Sequence, residues 1–167
     1  MNLSKEQRLI LINQYEILKH LNPNDTEYYD EYIATLKIGA TYKYSMFEEI
    51  VEDEKSEEFQ EFVWSVLDMF SYMKSAYRNL SDEDKQKISL EKILYQGFDG
   101  NEEGSYYSYA NYIFKDMGLY TDIYKECKNC LNAHRNMVWR YSNMLKKLNE
   151  CNDKYNLNID DLLRIVD

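Results

Sequence analysis

The stretch Ser56-Glu57-Glu58-Phe59-Gln60-Glu61-Phe62-Val63-Trp64-Ser65-Val66-Leu67-Asp68-Met69-Phe70-Ser71-Tyr72-Met73-Lys74-Ser75-Ala76-Tyr77-Arg78 decides the fold class. Phe59, Phe62, Val63, Val66, Phe70, Met73 and Tyr77 recur every three or four residues, the spacing that lines up side chains along one face of an α-helix. Ser56 stands where an N-cap is needed. Glu57 and Glu58 fall in the first turn and Lys74 and Arg78 in the last, each at the end of the helix macrodipole that favours its charge. The segment therefore reads as the central core helix of a helical protein.

Working outward towards the N-terminus, Ser4 and Gln7 have the spacing of a capping box, so a first helix begins at Ser4 and ends before Asn22-Pro23, where proline disfavours α geometry in the residue before it. Leu11, Tyr15 and Leu18 form one apolar stripe and Ile10, Ile17 and Leu21 an adjacent one, a pattern that predicts deep burial. A second helix spans about 26–38, rich in Tyr28, Tyr29 and Tyr32, and stops at Gly39, which suits the left-handed residue after a helix end. A third runs from about Thr41 into an acidic, exposed run over 48–54.

Towards the C-terminus, residues 79–89 are polar and read as a linker between possible halves 1–79 and 90–167 of one domain. Residues 90–95 form a short helix or an extended piece that delivers the chain to Gly97-Phe98-Asp99-Gly100-Asn101-Glu102-Glu103-Gly104, which holds three of the five glycines and marks a bend of defined shape. Asn101 or Asp99 should then cap a helix with Tyr106, Ala110, Ile113 and Met117 on one face, closed by Gly118. A helical stretch follows Thr121, either running on or breaking near Asn132, before Met137, Tyr141, Met144 and Leu148 at helical spacing. Asn158 caps a last helix whose Ile159, Leu162, Leu163 and Val166 must dock on something. With a single proline and helix formers between the glycines, the expectation is all-α: a compact multihelical single domain, 1–167, of about seven to eight helices.

Composition bounds function. A chain of 167 residues can bury about 70% of its unfolded surface, enough for a core without staples. Three thiols, Cys127, Cys130 and Cys151, are no disulfide framework, so the expected compartment is a reducing cytosol. No export signal and no apolar run of about 18 residues is present, and no membrane partner is expected. The net charge of −10 repels a phosphate backbone at long range, so direct nucleic-acid binding is disfavoured. The local basic set of Lys125, Lys128, Arg135, Arg140, Lys146 and Lys147 reads as solvent-facing helix positions. The 17 tyrosines read mostly as packing residues at the margins of a bundle.

Specific chemistry finds little support. Cys127, Cys130 and His134 would share a face on a helix, but a structural zinc needs a fourth ligand that spacing does not supply, so no metal and no cofactor is expected. A nucleophile elbow and a Walker loop are absent, and the paired carboxylates sit where helix ends and solvated faces carry acid, so no catalytic residue is assigned and an enzyme is not expected. The candidate structural or ligand loop comprises Gly97, Phe98, Asp99, Gly100, Asn101, Glu102 and Tyr106. Asp99, Asn101, Glu102 and Glu103 could gather oxygen ligands for a hard cation, yet not at EF-hand spacing. The simpler reading has Asp99 and Asn101 satisfying free backbone N–H groups above a buried Phe98.

Gln7-Arg8-Leu9-Ile10-Leu11 with Asn13-Gln14-Tyr15 and Leu21-Asn22-Pro23, the glycine loop followed by Tyr106 and Tyr109, and Met137 with Tyr141 and Met144-Leu145 make the chain resemble the YfbU family over its whole length. The segments 43–61 and 127–131 depart from that likeness, so the cysteine cluster is an individual feature. The resemblance implies an all-helical cytoplasmic bacterial protein of a family without an assigned activity, attached in some longer homologues to ribbon-helix-helix DNA-binding segments. No such segment precedes Ser4, so this copy would act alone or with a partner. The expected function is a non-enzymatic, self-associating interaction or regulatory module, forming a homo-oligomer and preferably a dimer through apolar surface on 26–38, 101–117 and the terminal helix. The alternative is a small-ligand binder or enzyme with its site near the loop over 97–104.

Overall fold

A computed structural model of the chain describes residues 2–48, 53–127 and 131–167. The fold is all-α. Among the described residues the helices are α1 (Lys5–Leu21), α2 (Thr26–Ile38), α3 (Ser45–Glu48), α4 (Glu57–Asn79), α5 (Asp82–Lys85), α6 (Leu90–Ile93), α7 (Gly104–Asn111), α8 (Thr121–Glu126), α9 (Val138–Asn149) and α10 (Ile159–Val166). Since α3, α5 and α6 each span four described residues, seven longer helices carry the architecture among the described residues. β-type pairing among the described residues is one isolated parallel bridge between Phe98 and Asn132. None of the described helices is long and apolar enough to cross a membrane. The chain divides into two compact units, Met1–Glu54 and Lys55–Asp167.

In the first unit, Ser4 caps α1 through a full capping box with Gln7, and Gly39 ends α2 at φ +74°. The Arg8 guanidinium donates to the Leu36 carbonyl at 3.0 Å, satisfying one of the last-turn acceptors that an α-helix leaves open. The small core is Tyr32, Leu36, Tyr44 and Phe47, covered by Leu3, Leu11, Ile12 and Tyr15. Deep burial of both α1 stripes does not occur. No α1 residue is fully buried, and Ile10, Ile17 and Leu21 are 58%, 60% and 69% exposed. At 100° per residue these three project from the side of α1 opposite Leu11, Ile12 and Tyr15. Periodicity finds an apolar stripe but not whether anything faces it. Of the acidic run over 48–54, Asp53 and Glu54 are exposed, while Glu49 and Glu52 lie outside the described residues.

The second unit is built on α4, capped by Ser56, whose hydroxyl accepts from Phe59 N–H at 3.2 Å. Val63, Val66, Leu67, Met69, Phe70 and Met73 of α4 are sealed against α9 residues Tyr141, Met144 and Leu148 and α10 residues Leu162, Ile165 and Val166. Asn158 caps α10 in a box with Asp161. The terminal apolar set is thus consumed inside this unit and leaves no surplus there. Lys74, placed by the sequence in the last turn of this helix, falls before that turn because α4 continues to Asn79, and it is buried. Its ammonium donates to Asp122 O at 2.8 Å and meets Asp122 Oδ2 at 3.1 Å and Glu126 Oε2 at 2.9 Å, tying α8 to α4.

Two further expectations shift. Residues 79–89, read as a linker, lie within the second unit, where they form α5 and bury Ile88. The helix after the glycine loop starts at Gly104, not beside Asn101, and its continuation Tyr112–Asp116 is π-helical. A π turn inserts one residue into the repeat. Ala110, Ile113 and Phe114 face the core at ordinary helical spacing, while Met117, expected on the same stripe, is shifted off it by the insertion and is exposed.

Candidate functional site

The loop over 97–104 is tied to the segment 131–133 through backbone groups. Gly97 adopts φ +88°, and a Cβ there would lie 1.7 Å from the Leu131 carbonyl oxygen; only glycine permits this approach. The same carbonyl accepts from Phe98 N–H at 3.1 Å, and Phe98 O accepts from Ala133 N–H at 3.0 Å, which forms the parallel bridge. Phe98 is fully buried, with its ring 5.4 Å from those of both Tyr106 and Tyr141. Tyr141 donates its hydroxyl to Gly97 O at 2.9 Å, and burial pushes its phenol far above the ordinary range.

Asp99 is buried, and its Oδ1 accepts from Asn101 N–H at 2.8 Å and Glu102 N–H at 3.3 Å. Asn101 enters through its backbone, and the side chains of Asn101 and Glu102 face solvent. Gly100 N–H reaches Asn132 Oδ1 at 3.2 Å, which also accepts from His134 N–H at 3.0 Å. Tyr106 is half-buried and packs on Phe59 at 4.5 Å. Of the oxygens proposed for a hard cation, those of Asp99 and Glu103 are thus engaged by N–H donors, while the Asn101 and Glu102 side chains are exposed.

Glu103, which the sequence offered only as an oxygen ligand for a cation, and Asn132, which it offered for no site, hold this assembly together. Glu103 is buried, with Oε1 accepting from Met137 N–H at 2.7 Å and Val138 N–H at 2.6 Å while Oε2 accepts from Asp99 N–H at 3.0 Å. One carboxylate therefore caps the start of α9 and pins the loop, and its negative charge sits at the favourable end of the helix dipole. Asn132 is the other. Besides local partners, each reaches one more than 30 residues away along the chain, and no local spacing marks that contact; an acid beside a glycine bend was the one available hint.

The cysteine pattern dissolves as a helical face. α8 ends at Glu126, Cys127 is extended, and His134 is exposed at φ +52°. Cys130 and Lys128 lie outside the described residues. Among the described residues no three His, Cys, Asp or Glu side chains are grouped as metal ligands. The basic set disperses as well, with Lys125 exposed on α8 while Arg135, Arg140, Lys146 and Lys147 line a separate groove beside α9.

A family model described as the YfbU domain matches residues 1–167. A UPF0304 protein of Methanocaldococcus jannaschii is 31% identical over 167 residues, covering 98% of each chain. UPF0304 proteins of Actinobacillus succinogenes and Pasteurella multocida are each 25% identical over 166 residues, covering 99% of both chains. With the family model spanning all 167 residues and a relative above 30% identity end to end, the chain belongs to the YfbU (UPF0304) family.

Proposed function

We propose that the chain is a non-enzymatic, self-associating interaction module of the cytoplasm, and that it docks a second copy of itself through the outer face of α1. The observation that carries this is the bare stripe of Ile10, Ile17 and Leu21 on a helix whose other face already covers the core of its unit. With Gln14 between them these residues are spaced four, three and four apart, the seam of a helix pair. Leu9, Asn13 and Leu18 beside them carry no charge. An antiparallel twofold pairing would set Ile10 against the partner copy's Leu21 position and Ile17 against Gln14, a self-complementary contact. A single helix face roughly 25 Å long is small beside the ~1,200–2,000 Å² of a durable interface, so the association is weak and depends on concentration. The loop over 97–104 supports the ligand-binding alternative less well, because its buried carboxylates are already occupied by backbone donors.

Light scattering coupled to size exclusion tests the reading. Two chain masses at high micromolar protein, falling to one on dilution and insensitive to salt, are expected. Ile17→Glu should give one chain mass throughout with unchanged helicity. A wild-type mass of one chain at every concentration reached would end the proposal.

A further inference from the structure

Along one side of α9 runs a groove of about 780 Å³, within the size range of small-molecule sites. Its floor includes Met144, Ile165 and Val166, all buried in the core of the second unit. Its rim is cationic, with Lys92, Arg135, Arg140, Lys146 and Lys147 against two carboxylates, Glu150 and Asp167. Lys92 is 3.8 Å from Asp167, and Arg135 is hydrogen-bonded to Gln96. Arg140, Lys146 and Lys147 have no carboxylate within ion-pair distance among the described residues, although acids outnumber bases 30 to 20 in the chain. Lys146 and Lys147 gain something from the C-terminal end of the α9 dipole, but that does not account for Arg140 or for the residue beside it. Trp139 is 75% exposed on the same rim. A large aromatic surface left in water next to unpaired cations is a stacking face adjoining an anion site.

We propose that this groove binds a nucleoside diphosphate, with the base stacked on Trp139 and the phosphates held by Lys146 and Lys147. The spacing sets the ligand's length. Trp139 and Lys146 are two helical turns apart, roughly 10 Å along the axis, which is about the reach from a nucleobase to the β-phosphate. Arg140 and Asn143 lie between them, where the ribose and α-phosphate would pass. The α9 N-terminus itself is not the anion site, since its first N–H groups are taken by Glu103. Glu103 instead fixes the helix start from which Trp139 and Arg140 project.

Isothermal titration of the full chain with ADP is the test, alongside emission from a Trp64→Phe variant in which Trp139 is the remaining tryptophan. One saturable site per chain with quenching of Trp139 is expected. Lys146→Gln with Lys147→Gln should weaken ADP by at least about tenfold, and Trp139→Ala by about tenfold. All these side chains sit on the rim of the groove, so circular dichroism of the variants should match wild type. Inorganic pyrophosphate should bind more weakly than ADP. No binding at millimolar ADP, binding indifferent to both sets of variants, pyrophosphate as tight as ADP, or a single-stranded oligonucleotide tighter than ADP would each overturn the assignment.

Discussion

Glu103 does at the residue scale what a longer structural element usually does, since its two oxygens accept from three backbone N–H groups in two separate segments. A glutamine in its place offers one acceptor oxygen and one amide that can only donate. If the oxygen serves Met137 and Val138, the amide meets Asp99 N–H donor to donor, and the reverse orientation fails at α9. Glu103→Gln is therefore expected to cost about 2–3 kcal/mol, read as a lower urea midpoint with an unchanged slope. Gly97→Ala should cost more, at least about 3 kcal/mol. Its Cβ would overlap a carbonyl that cannot retreat without breaking the bond to Phe98 N–H. An alanine variant as stable as wild type in urea would contradict the 1.7 Å approach. Three glycines in eight residues announced the bend in the sequence, but the reason Gly97 must be glycine lies in Leu131, which is distant in the chain.

At the scale of elements, what was legible depended on where the partners lie. The starts of α1, α4 and α10 and the stop of α2 were legible because Ser4, Ser56, Asn158 and Gly39 act on groups within four residues. The π turn at Tyr112–Asp116 was not, since no residue type enforces it. The burial of Lys74 was not legible either, since its partners Asp122 and Glu126 sit on α8, far along the chain. The α4–α8 tie carries a pH signature. Burial alone would raise the Asp122 carboxyl, yet its hydrogen bond to Lys74 and the ammonium charge outweigh this and hold it below its ordinary value of 3.8. A depressed folded-state pKa means stability that is present above 3.8 and lost as pH falls through the lower folded value. Lys74→Met is expected to destabilise by about 1–2 kcal/mol at neutral pH, modestly because half of Asp122 remains in water. The gap to wild type should narrow below 3.8 in chemical denaturation across pH. A gap that stays constant into that range would assign the loss to packing rather than to the ion pair.

For the whole molecule, the two units differ in how much holds them together. Among the described residues the first has a cluster of four buried side chains with α1 laid over them, while the second seals α4, α9 and α10 around a much larger cluster. Local opening free energy follows buried apolar contact, so amides of α4 and α9 should exchange slowest and those of α1 far faster in native-state hydrogen exchange. Self-association alters that ordering in a specific way. If a second copy covers Ile10, Ile17 and Leu21, the dimer stabilises α1 by mass action, and its protection should rise with protein concentration while that of α4 does not. Ile17→Glu should remove the concentration dependence and leave the low basal protection of α1 in place. Exchange mass spectrometry at two concentrations spanning the dissociation range separates the possibilities. Protection of α1 that equals that of α4 when dilute would show that the first unit is stabilised by something other than its own small core, and protection that never responds to concentration would leave the outer face of α1 without the partner proposed for it.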